Sequence, residues 1–358
     1  DRCRYSPIAW LKGGSAFYYV RRIAPDLLPE SESHFHRRVY LHTLGADPHT
    51  DVLVFGAGMN LTNYYGVSVS RDGRWLEIES SEGTEPRNDL WIADLTASAP
   101  SSPSFELVQG DVDAQTSLTF GRDGRAYIFT DRDAPRGMLL VTTPGSWDPT
   151  SWRTLIPEAQ DAVLDSVTLL DGEGLDQDQL LVVHTHHGVA QMAVHAASDG
   201  KFLYPIELPG AGTIGGPIEH IDGGPITWIV YTDHTTIPTI YEFDARSREL
   251  TLYATPPGSV QAPSVHSELI TYPSLDGTTV RMFIISPTGN PDHSRPTILY
   301  GYGGFGIPMQ PGYSASILAW VESGGVWAIA NLRGGGEEGE EWHRAGMLAK
   351  KQNVFDDF

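Results

Sequence analysis

Val67-Ser-Val-Ser-Arg-Asp-Gly-Arg-Trp-Leu-Glu-Ile78, followed after a polar loop by Asp89-Leu-Trp-Ile-Ala-Asp-Leu95, decides the fold of this chain. Apolar and polar residues alternate on either side of Asp72 and Gly73, the period of two that gives a strand one buried face. Asp-Gly between two such runs is a strong hairpin signal, because tight hairpin turns need φ > 0 at their central positions. The pattern returns at Ser117-Leu-Thr-Phe-Gly-Arg-Asp-Gly-Arg-Ala-Tyr-Ile-Phe129, followed by Met138-Leu-Leu-Val141. Weaker copies run from Val167 to Val183 with Ala190 to His195, and from Ile218 to Tyr231 with Thr239 to Phe243. A first, partial copy runs from Ile8 to Val20 with Val39 to Leu44.

With the third strand of each copy as a ruler, Tyr40, Trp91, Leu140, Met192 and Tyr241 are spaced by 51, 49, 52 and 49 residues. Three clear strands and a variable fourth, repeated about every fifty residues without helical spacing, match the blade of a β-propeller. Five blades, one of them incomplete, are expected over residues 1–258. The alternative is a β-sandwich whose strands happen to be evenly spaced.

Composition agrees with a folded, multi-sheet chain. Its 358 residues amount to one large domain or two ordinary ones, and 40% hydrophobic content with 9 Trp, 15 Tyr and 12 Phe supplies ample core. The 38 Gly and 25 Pro make it turn-rich without the bias of a low-complexity segment. With 24 basic against 45 acidic residues the formal charge is −21, which repels phosphate backbones and anionic headgroups, so nucleic acid and membrane surfaces are not expected partners. A lone Cys3 excludes an internal disulfide framework and fits a reducing, cytoplasmic setting, with a periplasmic or secreted one left open. No run approaches a membrane span. The sequence opens at Asp1 without Met and stops at Phe358 in a polar run resembling a helix start, so both ends read as cut.

Rhythm changes at Pro256-Pro-Gly258, and residues 259–358 read as the beginning of a second, α/β domain. Two strands, 267–272 and 278–285, flank Leu275-Asp-Gly277 as a hairpin. Pro296 to Tyr300 reads as a buried strand, Ser314 to Ser323 as a helix with Ile317, Leu318, Trp320 and Val321 on one stripe, and Val326 to Leu332 as a strand covered on both faces. Strand, helix and strand with short links make a βαβ unit.

Gly301-Tyr-Gly-Gly-Phe-Gly306 after a strand fits G-x-G-x-x-G, with Glu322 beyond it. A dinucleotide site needs a helix to start within the glycines, and Pro308 and Pro311 postpone it to about Ser314. The glycines then form a loop at the carboxyl edge of a parallel sheet, where open α/β sheets place ligands and where the Tyr302 hydroxyl can donate to a developing oxyanion. A Tyr there can equally be packing. Arg333-Gly-Gly-Gly-Glu-Glu-Gly-Glu-Glu-Trp-His343 reads as a flexible loop with four solvated carboxylates. His184 and His186 share a strand face as a metal pair would, without a third ligand, so no metal and no cofactor is implied. His34 and His36 read as solvated, and Asp356 and Asp357 as acids near a helix start, favoured there by capping and the helix dipole.

Leu299-Tyr-Gly-Tyr-Gly-Gly-Phe305, Ala330-Asn-Leu-Arg-Gly-Gly-Gly-Glu337, Glu341-Trp-His343 and Lys351-Gln-Asn-Val-Phe-Asp-Asp-Phe358, in this order and spacing, closely resemble the start of the catalytic domain of prolyl oligopeptidases. Ser70 to Trp75 and Asn88 to Trp91 resemble propeller segments of the same family, so the resemblance covers essentially the whole chain. It implies an incomplete propeller of the seven-bladed type followed by the N-terminal part of an α/β-hydrolase domain. It implies a serine peptidase that cleaves short peptides on the carboxyl side of proline, acting as a monomer when full length. Tyr302 matches the tyrosine that supplies one donor of the family's oxyanion hole, and Phe305 an aromatic side chain near the pocket for the substrate proline.

Three positions depart from the pattern. An Arg and a Cys that approach substrate in some members fall at Ser81 and Thr84, and Gly306 replaces a common Asn. The nucleophile of such hydrolases sits in G-x-S-x-G, and the chain has none: Gly13 to Phe17 and Gly312 to Ser316 both fail at the last position. Family order places the triad after Phe358, so the chain alone is expected to be inactive. The rival readings are a propeller used as a binding scaffold and a propeller glycosidase with paired carboxylates, for which spacing gives no support.

Overall fold

The structure, a computed structural model, describes residues 2–220, 222–258, 262–289 and 293–358. Six four-stranded sheets account for its strands. The first contains β1 (Ile8–Trp10), β2 (Ala16–Arg22), β3 (Arg37–Thr43) and β4 (Val52–Phe55); the second β5 (Asn63–Val69), β6 (Trp75–Glu82), β7 (Asp89–Asp94) and β8 (Phe105–Gln109). The third has β9 (Thr116–Phe120), β10 (Ala126–Thr130), β11 (Met138–Thr142) and β12 (Arg153–Ile156). The fourth has β13 (Val163–Leu170), β14 (Gln179–His186), β15 (Val189–Ala196) and β16 (Phe202–Ile206); the fifth β17 (Thr213–Glu219), β18 (Ile226–Thr232), β19 (Thr239–Asp244) and β20 (Glu249–Ala254). Strand order within each of these five follows chain order, the meander of a propeller blade.

All five ruler residues fall on the third strand of their sheets, β3, β7, β11, β15 and β19. The first copy is complete rather than partial, because β4 pairs with β3 through Val39↔Phe55 and Tyr40↔Leu53. Its fourth strand escapes the pattern for a physical reason: Val52 and Leu53 are exposed, so no alternation marks them.

The chain divides into two compact units, Asp1–Asp133 with Leu139–Thr154, and Ala134–Met138 with Leu155–Phe358. In the first, Tyr18, Val20 and Val39 pack against Tyr65, Val67, Leu76 and Ile78 of the second sheet. The opposite face of β6 buries Glu77, whose carboxylate accepts from the Ser68 hydroxyl at 2.8 Å and the Leu118 N–H at 2.9 Å. Burial, with Glu79 beside it, pushes Glu77 up to about 7. Trp75, which opens β6 after the Asp72-Gly73-Arg74 turn, stacks on Phe120 at 5.6 Å and meets Trp147 edge-on at 5.4 Å. In the second unit Leu181, Val183, Met192 and Val194 pack with Ile229 and Phe243.

The sixth sheet contains the βαβ unit. It comprises β21 (His266–Pro273), β22 (Thr279–Ser286), β23 (Thr297–Gly301) and β24 (Val326–Asn331), with α1 (Ala315–Glu322) between the last two. Its order is β21-β22-β24-β23, with β23 and β24 parallel and the other pairs antiparallel. Val321 of α1 packs on Phe283, Ile285 and Ile329, as its apolar stripe requires. Two short helices, α2 (Glu340–Arg344) and α3 (Gln352–Asp357), follow. No helix among the described residues is long and apolar enough to cross a membrane.

Candidate active site

Because β23 and β24 run parallel and adjacent, the loops that leave their carboxyl ends are neighbours. Tyr302 to Gly306 leaves the first, Leu332 to Gly339 the second. The two loops pack backbone against backbone. The Gly306 N–H donates to the Gly334 carbonyl at 3.0 Å, and the Gly334 N–H to the Trp342 carbonyl at 3.0 Å. Gly303 sits at φ +57°, and a Cβ there would collide with Val354 and lie 3.0 Å from the Arg333 carbonyl oxygen. Gly334, at φ +94°, would place a Cβ 2.6 Å from the Gly303 carbonyl oxygen, and one at Gly336 would meet the Gly306 carbonyl. The run of glycines is thus a close-packed joint, not the flexible loop that composition suggests. Lys351 Nζ closes it by donating to the Gly303 carbonyl at 2.6 Å.

On this joint Tyr302 and Phe305 project outward, 44% and 65% exposed, with ring centroids 6.5 Å apart. The Tyr302 hydroxyl makes no hydrogen bond among the described residues. Phe305 sits at φ +57°, a conformation costly for a bulky side chain and held by the bonded glycines around it. α1 begins at Ala315, beyond both prolines, so no helix N-terminus faces the glycines as a pyrophosphate site requires.

Beneath the joint lies an ion-pair fork. Arg333 donates from Nε and Nη2 to both oxygens of Asp357 at 2.6–3.0 Å, and from Nη1 to Asp276 at 2.6 Å. Both Arg333 and Asp357 are buried. The guanidinium holds the Asp276 carboxyl well below the usual carboxylate range, and the two carboxylates raise Arg333 further. Tyr272, pushed up to about 12 by burial, donates to the Asp357 carbonyl at 2.5 Å. This corrects the reading of Asp357 as a helix-start acid: it lies in the last turn of α3 and its role is the buried pair. Asp356 lies in the same turn and accepts from the Gln352 side-chain amide at 2.9 Å.

The four carboxylates after the glycines are not a solvated face either. Glu337 is 2% exposed and accepts the Met309 N–H at 2.7 Å, and burial pushes it up to about 7. Asn331 donates to the Met309 carbonyl at 3.1 Å, so Met309 is held on both sides. Glu338 pairs with Arg281 at 2.5 Å and Glu340 with Arg344 at 2.7 Å; only Glu341 is exposed. The following residues are tied to the fourth and fifth sheets: Gln310 donates to Thr185 at 2.8 Å, Thr213 to the Pro311 carbonyl at 2.7 Å, and the Tyr313 N–H to Thr232 at 3.2 Å. Thr185 donates in turn to Asp165, a carboxyl that burial pushes up to about 6.

Other candidates separate. His184 is half-buried and lowered by desolvation, whereas His186 pairs with Asp161 at 3.3 Å, and no group of three metal-ligating side chains occurs among the described residues. His36 is not solvated but bonded to Glu32 at 2.6 Å, and His34 meets Arg22 at 3.2 Å. Ser81 is half-buried on β6, and Thr84 is exposed in the turn after it. The sequence reading missed Glu337 and Lys351. No local pattern distinguishes Glu337 from its acidic neighbours, and Lys351 reaches a carbonyl 48 residues away.

Blade-like meanders followed by a βαβ unit, with a free phenol on the loop after its first strand, define a propeller joined to the start of an α/β-hydrolase domain. Residues 1–256 match the prolyl oligopeptidase N-terminal β-propeller domain and residues 311–358 the prolyl oligopeptidase family. The chain belongs to the prolyl oligopeptidase family. It is 32% identical, over 99% of its length and 48% of the relative's, to a prolyl endopeptidase of Elizabethkingia miricola. A dual function macrocyclase-peptidase of Galerina marginata is 26% identical over 99% of this chain and 48% of its own. A solved prolyl endopeptidase superposes with a TM-score of 0.90 at 31% identity, covering 100% of this chain and 51% of that one. The chain spans about half the length of the curated relatives it matches.

Proposed function

We propose that the intact protein is a serine-type endopeptidase that hydrolyses short peptides on the carboxyl side of proline, with Tyr302 as one oxyanion donor and Phe305 beside the proline pocket. The observation that carries this reading is the Tyr302 hydroxyl, exposed, unbonded among the described residues, and mounted on the Gly303–Gly334 joint at the carboxyl edge of the parallel strands. When a serine oxygen adds to the scissile carbonyl carbon, the carbonyl oxygen takes up negative charge and the serine proton passes to a histidine, then to the leaving amine. A phenol fixed at that oxygen donates a bond that strengthens only as the charge develops, which lowers the barrier rather than tightening ground-state binding.

Two features of this chain support the division of labour. The nucleophile motif Gly-x-Ser-x-Gly is absent from the 358 residues, so the chain alone is inactive in this reading. The propeller, placed at 1–258, restricts access to short peptides, and the hydrolase segment begins at 259, a boundary that falls on residues 259–261 outside the described ones. The protein works as a cytoplasmic monomer without cofactor or metal. In the full-length enzyme, Tyr302→Phe lowers kcat on a proline reporter peptide by about 10²–10³-fold and leaves KM nearly unchanged. A loss carried by KM alone removes Tyr302 from the oxyanion role.

A further inference from the structure

The first sheet carries a concentration of arginine that the rest of this acidic chain does not explain. Across β2 and β3, Arg22 stands directly opposite Arg37, and Arg21 opposite Arg38. Like charges placed directly opposite in a ladder repel, and the chain has 45 carboxylates for 24 cations with which to neutralise them. Arg21 is answered: Asp51 lies 3.6 Å away, and its guanidinium sits over the Tyr40 ring. Arg22 and Arg37 are not, since neither makes an ion pair among the described residues. Arg22 spends one nitrogen on the Ser33 carbonyl at 3.1 Å and on the His34 ring at 3.2 Å. Arg37 is only 6% exposed, and its Nε has no acceptor at all.

Arg37 is held in place by aromatics instead of by a counter-charge. Its guanidinium lies 3.7 Å over the Tyr64 ring, Tyr64 meets Tyr5 at 6.1 Å, and Arg4 lies 4.8 Å over Tyr5. A flat guanidinium stacked on a ring keeps its in-plane N–H donors available, which is the arrangement that recognises planar or tetrahedral oxyanions in two-point fashion. A buried, hydrogen-bond-starved cation facing a second unpaired cation is costly unless an anion completes it.

We propose that Arg22 and Arg37, on their Tyr64 platform, form an oxyanion-binding site that takes a carboxylate or phosphate group. The site is independent of the Tyr302 reading, so either stands if the other fails. The test titrates the protein with inorganic phosphate at constant ionic strength, chloride as the balancing ion, and reads calorimetric binding and thermal midpoint. One saturable site is expected, with affinity weakened at least about tenfold in Arg22→Met and in Arg37→Met, the loss of one charge-assisted bond pair. Arg22→Met keeps the Arg37–Tyr64 stack and carries the test if Arg37→Met fails to fold. Arg74→Met, at an exposed pair with Asp94, serves as the unchanged control. A tripeptide with a free terminal carboxylate and its amidated form then compete with phosphate: displacement by the acid alone identifies peptide termini as the source, and displacement by neither identifies free phosphate. Absence of saturable binding, or equal affinity in wild type and Arg22→Met, overturns the proposal.

Discussion

The blades and the glycine joint solve the same problem, close packing without voids, with opposite materials. Between the first two sheets the contacts are side chain on side chain: Val20, Val39, Leu76 and Ile78 interdigitate, and a lost methyl leaves a small gap. Between the Tyr302 and Arg333 loops the contacts are backbone on backbone, with Gly303, Gly334 and Gly336 each facing a carbonyl at a distance that admits hydrogen only. The first kind of packing degrades gradually under substitution, whereas the second has no smaller increment than a whole Cβ. In the proposed reading the second kind serves the site, because a phenol mounted on such a joint has little freedom to drift from the oxyanion it would hold.

The largest expected effect tests that difference at its sharpest point. Gly303→Ala places a Cβ against Val354 and the Arg333 carbonyl at positive φ, and unfolds or detaches the segment after β23. Its destabilisation exceeds the roughly 1–3 kcal/mol of ordinary overpacking, read by denaturant titration. A loss under about 1 kcal/mol shows that the joint yields, and the contrast with the blades disappears.

Glu337→Gln probes the same joint more gently and through pH. Burial raises the folded-state pKa of Glu337 from the ordinary glutamate value of 4.5 to about 7. The folded state therefore holds the proton more tightly than the unfolded chain, and its contribution is fully present below the unfolded value and lost as pH rises toward 7. Wild-type stability should fall between about pH 4.5 and 7 by on the order of 1–3 kcal/mol more than that of Glu337→Gln, which keeps an acceptor for the Met309 N–H. Parallel curves for the two proteins would mean that Glu337 is ionised in both states. The smallest effect belongs to the blades: Ile78→Val removes one methylene from a fully buried position and costs about 0.5–1.5 kcal/mol.

Much of this architecture was legible in the residues. Alternation around Asp72-Gly73 and Asp123-Gly124 marked the first and second strands of those blades, since a half-buried strand must show a period of two. Fourth strands left no such trace, because an exposed edge strand such as Val52–Phe55 needs no apolar face. The βαβ unit was readable from its two apolar runs and the stripe on α1, but Thr297–Gly301, read as a buried strand, is the edge strand of its sheet and largely exposed. The site was legible only in part. Arg333 finds Asp357 24 residues on and Asp276 57 residues back, and nothing in the spacing announces either partner. Glu337 and Glu341 belong to the same acidic run, yet one is buried and the other exposed, a difference set by tertiary packing against Met309.

The most direct test of the central claim measures the affinity of full-length enzyme for a peptide aldehyde ending in proline, which forms a tetrahedral adduct bearing an oxyanion. The account predicts that Tyr302→Phe binds the aldehyde about 10²–10³-fold more weakly than wild type while binding the corresponding peptide acid equally well. Equal losses for aldehyde and acid, or no loss for either, would contradict it.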